Sequence, residues 1–266
     1  MCNLYSHTSN RDAIAALVRE LGLFSDNLGN FAPQTGIFPD YLAPVVRNTP
    51  AGRELTKLRW GLPSSGKALY DSAAKRADKL RAKGKEVDFD ALLAAEPDNG
   101  TTNVRNIRSD TGRWNAHWNR WMGVDNRCVV PFTSFSEFDN TVDDAGRKKG
   151  DTWFAFDQSR PLALFAGIWV QGWSGVRKMK TGREENLDLF GFLTCTPNNI
   201  VGSIHMKAMP VILTTPDEID IWLTASKEEA ILLQRPLPND VLEIVSVGKK
   251  EDPPSSTIGE PEKLLL

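Results

Sequence analysis

Cys2 stands directly behind Met1, and that placement poses the chain's first chemical question. Methionine aminopeptidases remove the initiator when the second residue is small, so the mature chain is expected to begin at Cys2. A free N-terminal cysteine is a 1,2-aminothiol: an α-amine titrating at about 7.7–8.0 beside a thiol near 8.5, both partly nucleophilic at neutral pH. Such a pair has two uses. The amine can serve as base for the thiol, as in an N-terminal-nucleophile hydrolase. Alternatively, the amine can form a Schiff base with an aldehyde and the thiol can close on it to give a five-membered thiazolidine. Position alone leaves a third reading open, in which Cys2 is a small packing residue at the start of a strand.

Three further residues could serve such chemistry. His205 precedes an apolar stretch and titrates near neutrality, which suits a proton shuttle for opening a sugar hemiacetal, although a structural histidine fits equally. Glu137 lies in the aromatic run "SFSEF", where burial would raise its pKa into the range of a general acid/base; a paired structural carboxylate is the rival. Asn106 offers donors and acceptors that could hold the Cys2 amine, or it could form a turn. Between these lies "NVRNIRSDTGRWNAHWNRW". Its Arg105, Arg108, Arg113 and Arg120 alternate with Trp114, Trp118 and Trp121, combining phosphate neutralisation with stacking surfaces. The tryptophans also fall at helical spacing, which favours a core stripe.

Composition narrows the setting. The net charge of -2 and pI near 6.0 argue against coating nucleic acid by bulk electrostatics, so contact with it must be local. Three widely spaced cysteines (Cys2, Cys128, Cys195) and three histidines suggest neither a disulfide framework nor a metal site. Cys128 and Cys195 read as packing residues, and no cofactor is implied. No apolar run reaches membrane-spanning length and no secretory signal is evident, which makes the cytoplasm the expected compartment.

The elements that must position these groups are mostly strands. A first helix is capped by Ser9 or Asn10, carries Ile14, Leu17, Val18 and Leu21 at helical spacing, and ends at Gly22. "APVVRNTPAGRELTKLRWGLP" reads as a hairpin, and residues 65–100 as a basic peripheral insertion. After Arg127, "RCVVPFTSFSEF", "TWFAFD", "LALFAGIWV", "LDLFGFLTCT", "MPVILTT" and "LEIVSV" read as strands, with helices at "PDEIDIWLT" and "SKEEAILLQ". The expected class is α+β with a mainly antiparallel, barrel-like sheet decorated by helices. A single domain should span 2–248, with 249–266 as a mobile tail.

In their order along the chain these stretches resemble the SRAP (SOS-response-associated peptidase) family, proteins that shield abasic sites in single-stranded DNA. Cys2 matches the family's N-terminal cysteine. Asn106-Ile107-Arg108-Ser109-Asp110-Thr111 resembles its Asn-Ala-Arg-x-Glu-Thr motif, and Ser134-Phe135-Ser136-Glu137-Phe138 its Gly-Trp-Tyr/Phe-Glu-Trp motif. His205-Met206-Lys207-Ala208-Met209-Pro210 resembles its His-x-Arg-Met-Pro run, while Asn30-Phe31-Ala32-Pro33 and Trp60-Gly61-Leu62-Pro63 resemble its structural signatures. The chain departs from the pattern at Cys2-Asn3-Leu4, where the family reads Cys-Gly-Arg, and in the longer spacing from His205 to Met209. The resemblance implies a monomeric protein, nucleoid-associated during DNA damage, that forms a covalent thiazolidine with abasic sites. In it Cys2, Asn106, Glu137 and His205 are catalytic, and Arg105, Arg108, Arg113, Trp60 and Lys207 contact DNA. The rival readings are an N-terminal-nucleophile amidase or peptidase, a noncatalytic single-strand-binding module, and a relative whose aldehyde substrate is not DNA.

Overall fold

Dense runs of aromatic and β-branched residues, buried continuously over residues 127–132, 163–169 and 189–195, make the middle of this chain a set of paired strands. In the computed structural model, residues 2–252 are described apart from positions 10, 21, 143 and 178–181. Strand β1 (Leu4–His7) and helix α1 (Arg11–Glu20) are followed by β2 (Leu23–Asp26), β3 (Gln34–Ile37) and the expected hairpin of β4 (Leu42–Thr49) and β5 (Gly52–Trp60). Ile14 and Leu17 form the buried side of α1; Asn10 and Leu21, expected at its cap and on its face, lie outside the described residues. Next come α2 (Gly66–Arg81), α3 (Phe89–Ala94), β6 (Asn103–Val104) and α4 (Ala116–Asn119). The run "RCVVPFTSFSEF" divides at Thr133 into β7 (Arg127–Phe132) and β8 (Ser134–Val142). The remainder is β9 (Lys148–Ala155), β10 (Ala163–Val176), β11 (Arg183–Cys195), α5 (Asn199–Ile204), β12 (Met209–Pro210), β13 (Ile212–Leu213), α6 (Pro216–Thr224), α7 (Lys227–Ala230) and β14 (Glu243–Val247).

Five of these strands close into a barrel in the order β11-β10-β7-β4-β5, and a parallel pairing of β5 with β11 seals the ring. The other contacts in the ring are antiparallel. A second sheet, ordered β14-β9-β8-β1-β3, carries the N-terminal strand in its interior. The fold is thus α+β with a closed barrel, as expected from the strand pattern. Close approach inside the barrel requires glycine at position 167, where a Cβ would sit 2.9 Å from Cys128 Sγ. Aromatic rings fill the core: Phe132 stacks on Phe165 with centroids 3.7 Å apart, and Tyr5 meets Trp60, Phe165 and Phe192 edge-on.

Helices α2 and α3 lie at the periphery, with only Ala73 and Ala77 of α2 buried. The insertion is tied down at its base, where Asp98 accepts from the Ser64 hydroxyl and backbone amide and lies 3.9 Å from the buried Arg177. One boundary moves. Residues 249–252, assigned from sequence to a mobile tail, are built into the domain: Trp153 donates to the Lys249 carbonyl, and buried Asp252 pairs with Arg160 and accepts from Ser134. The polar composition of the segment concealed these partners, which come from distant parts of the chain: β8, β9 and the turn after β9. Residues 253–266 lie outside the described set.

Candidate functional site

Cys2 enters β1, and its neighbours are set by the register of that strand. Leu4 pairs with Ser136 and Tyr5 with Phe135, so the chain's first residues lie along β8 beside Glu137. On β8 the two-residue period puts Glu137 on the face of Phe135, while Phe138 on the opposite face is half exposed. Both Cys2 and Glu137 are buried. Burial drives the Cys2 thiol well above its ordinary value, and the Glu137 charge pushes it the same way. Burial also raises the Glu137 carboxyl to about 7, against the opposing positive charge of the amino terminus. A carboxyl raised this far can give up or take a proton near neutrality, and its protonated form places no charge beside the thiol.

His205 reaches the site from the C-terminal end of α5, a helix capped at its start by Asn198. Its Nδ1 is 3.7 Å from Glu137 Oε2 and 3.4 Å from the Ala208 carbonyl. Burial lowers its pKa, and the positive amino terminus lowers it further, so the imidazole is neutral at physiological pH and able to take up a proton. Arg105 donates to the Lys207 carbonyl, which fixes the turn carrying His205, exposed Met206 and Lys207. Cys2, Glu137, His205, Arg105 and Lys207 are thereby linked through neighbouring contacts.

The amide that holds Cys2 belongs to Asn103, not to Asn106. Asn103 Nδ2 donates to the Cys2 carbonyl at 2.7 Å and also lies 2.8 Å from Thr102 Oγ1. The Thr102 hydroxyl donates to Asn3 at 3.1 Å. Pairing of β6 with β11 sets Asn103 in place. Beyond it, Asn106 takes a left-handed backbone turn (φ 55°) and is exposed, lining a separate hollow with Arg108 and Trp114. A signal for Asn103 was present in the sequence: Asn103-Val104-Arg105 repeats, three residues earlier, the Asn-x-Arg spacing of Asn106-Ile107-Arg108.

Trp60 also differs from expectation. It is fully buried, stacked on Phe192 with centroids 5.2 Å apart, and its indole N–H donates to the Thr102 carbonyl at 3.3 Å. A buried ring has no face for a base, so Trp60 supports the segment holding Cys2 instead of contacting DNA. Arg108 and Arg113 lie on an exposed hairpin beside the site segment, where Arg108 approaches the Trp114 ring at 5.5 Å. Of the three helically spaced tryptophans, Trp118 is buried, whereas Trp114 and Trp121 are half-buried and pack against the core. The thiols of Cys128 and Cys195 are buried and pushed upward by burial.

The family model for SRAP, the SOS response associated peptidases, matches residues 1–251. This chain belongs to the SRAP family. Membership links it to the bacterial response to DNA damage and to interaction with DNA. Solved structures share the fold. A Bordetella bronchiseptica protein is 20% identical with a TM-score of 0.56, covering 93% of this chain and 100% of its own. A Bacteroides thetaiotaomicron protein is 20% identical with a TM-score of 0.56, over 91% and 90% of the two chains. A phage-related protein from Bordetella bronchiseptica is 16% identical, again with a TM-score of 0.56, over 91% and 92%. No curated protein matches the chain. Among the described residues, no helix of this SRAP protein is long and apolar enough to cross a membrane.

Proposed function

We propose that, once Met1 is removed, this SRAP protein joins the Cys2 aminothiol to the ring-opened aldehyde of an abasic site in single-stranded DNA. The observation that carries this reading is the buried Glu137 carboxyl, raised to about 7, between Cys2 and His205. His205 moves the proton that opens the sugar hemiacetal. The Cys2 amine adds to the aldehyde carbon, and Glu137 protonates the resulting hydroxyl so that it leaves as water and an iminium forms. The thiol then adds to the iminium carbon while its proton passes to the Glu137 carboxylate. Amine, thiol and aldehyde thus become a thiazolidine and one water, and the acid is regenerated.

Asn103 anchors the Cys2 carbonyl during this sequence, and Arg105, Lys207, Arg108 and Arg113 are the cations available to strand phosphates. The raised thiol pKa favours this chemistry over amide hydrolysis, because an iminium is a far stronger electrophile than an amide and tolerates delivery of a protonated thiol. The test is incubation with an abasic-site oligonucleotide followed by denaturing electrophoresis. Wild type should give a stable adduct. Cys2→Ala, which keeps an α-amine, should give only an adduct that borohydride traps. A stable wild-type-like adduct from Cys2→Ala would remove Cys2 from the mechanism.

A further inference from the structure

The segment between Asn106 and Ala116 forms a tight exposed hairpin. Ser109 N–H donates to the Arg113 carbonyl, Asn115 N–H to the Ile107 carbonyl, and Gly112 turns the chain at φ 80°. One side of this hairpin borders a hollow of about 600 Å³ lined by Asn106, Arg108, Asp110, Arg113, Trp114 and Asn115, among others. That volume is ample for a nucleotide.

The lining combines three chemistries. Trp114 is half-buried and offers an aromatic wall whose preference for electron-poor or cationic partners is already visible: Arg108 lies 5.5 Å from its ring and Lys227 4.8 Å. Arg108 and Arg113 supply positive charge for a phosphate. Asp110, exposed at the rim, is a carboxylate among cations and can only accept hydrogen bonds when ionised. A site for phosphate alone would gain nothing from that carboxylate. A site for a whole nucleotide would, because the base edge brings donors. On the edge that would face the major groove of a duplex, cytosine and adenine carry an exocyclic amine, whereas guanine presents only acceptors and thymine a carbonyl and a methyl group.

We propose that this hollow is a base-binding subsite for a nucleotide neighbouring the abasic site, and that Asp110, meeting that edge of the base, makes it favour cytosine and adenine over thymine. The inference rests on the reading of the protein as a single-strand binder but does not require the Cys2 chemistry. The base stacks along Trp114, its phosphate meets Arg108 or Arg113, and its amine donates to Asp110.

The subsite is tested with intact oligonucleotides lacking any abasic site, by anisotropy titration of dC, dA and dT homopolymers of one length. Wild type should bind dC and dA about threefold to tenfold more tightly than dT, the worth of one hydrogen bond. Asp110→Ala, a surface change that leaves the core untouched and removes the side-chain acceptor, should erase that gap. Trp114→Phe should weaken all three while preserving their order, and Trp114→Leu should weaken them further. Equal affinities in wild type, or an unchanged gap in Asp110→Ala, would overturn the proposal. The adduct assay run in parallel separates the two readings. Base preference without adduct would support the subsite and sink the Cys2 chemistry. Adduct formation at equal rates beside every base, with no preference in the titrations, would do the reverse.

Discussion

Replacing Glu137 with glutamine removes a charge while nearly conserving shape, and the structure fixes both the sign and the size of the result. Glu137 is buried, and burial raises its carboxyl from 4.5 to about 7. Below the unfolded value the side chain is protonated in both folded and unfolded chains, so pH has no leverage through it. As pH rises from there, the unfolded chain ionises first and is stabilised, and the folded protein loses stability until its own carboxyl ionises near 7. The loss over that window is about 3 kcal/mol, at about 1.4 kcal/mol for each pH unit. Glutamine does not titrate. Glu137→Gln should therefore match wild type near about pH 4 and exceed it by up to about 3 kcal/mol near about pH 8. In a domain of this size that corresponds to about 6–12 °C in melting temperature. The same variant should form and reverse the adduct about 100-fold or more slowly, since one acid/base group serves both directions. Urea denaturation of both proteins across this pH range, paired with adduct kinetics, measures both effects. Parallel stability curves would refute the reasoning, because they would mean that the carboxyl titrates at an ordinary value and is not held as an acid at neutrality.

Asn103→Ala should slow adduct formation and destabilise the fold by about 1–3 kcal/mol by leaving the buried Cys2 carbonyl without its donor; Asn106→Gly, which accepts the left-handed turn at that position, should change stability by less than about 1 kcal/mol in the same denaturation assay. Trp60→Ala should lower stability by about 3–5 kcal/mol, since it empties a fully buried site, and calorimetry will separate this from any effect on DNA. His7 is buried against Phe31, and burial lowers its pKa to about 4. The unfolded chain therefore takes up the proton first as pH falls from about 6.5 toward 4, and wild type should lose about 3 kcal/mol across that window. His7→Leu should flatten that acid limb in a pH series of urea melts, and a limb unchanged from wild type would contradict the assignment.

The barrel was legible because its strands carry dense aromatic and β-branched runs bounded by turn residues, and α6 was legible because Thr215, Pro216 and Glu218 make a complete helix start. Strands β2, β3 and β6 were not: they are at most four residues long and gain their order from partners distant in sequence. The same limit governs the site. Cys2, Glu137 and His205 could be singled out by residue chemistry and motif, whereas choosing between Asn103 and Asn106 required knowing which one β6 sets beside β11. Trp60 sat in a motif shared by core and surface tryptophans, and only packing distinguishes the two. Asp252 lies in a polar stretch whose anchors, Arg160 and Ser134, are about a hundred residues away.

The place of β1 inside its sheet also bears on the order of events in synthesis. Methionine removal can precede the enclosure of β1, because the strand is enclosed by elements that leave the ribosome late. Its neighbour β8 begins at Ser134, and the Ser6 hydroxyl donates to the carbonyl of Asp252. At about 5–20 residues per second, β8 follows β1 by roughly 6–26 s. For that interval the first strand of the protein is an open N-terminus. The topology that later encloses β1 thus leaves the N-terminus open during translation, so that trimming can be complete before the strand finds its partners.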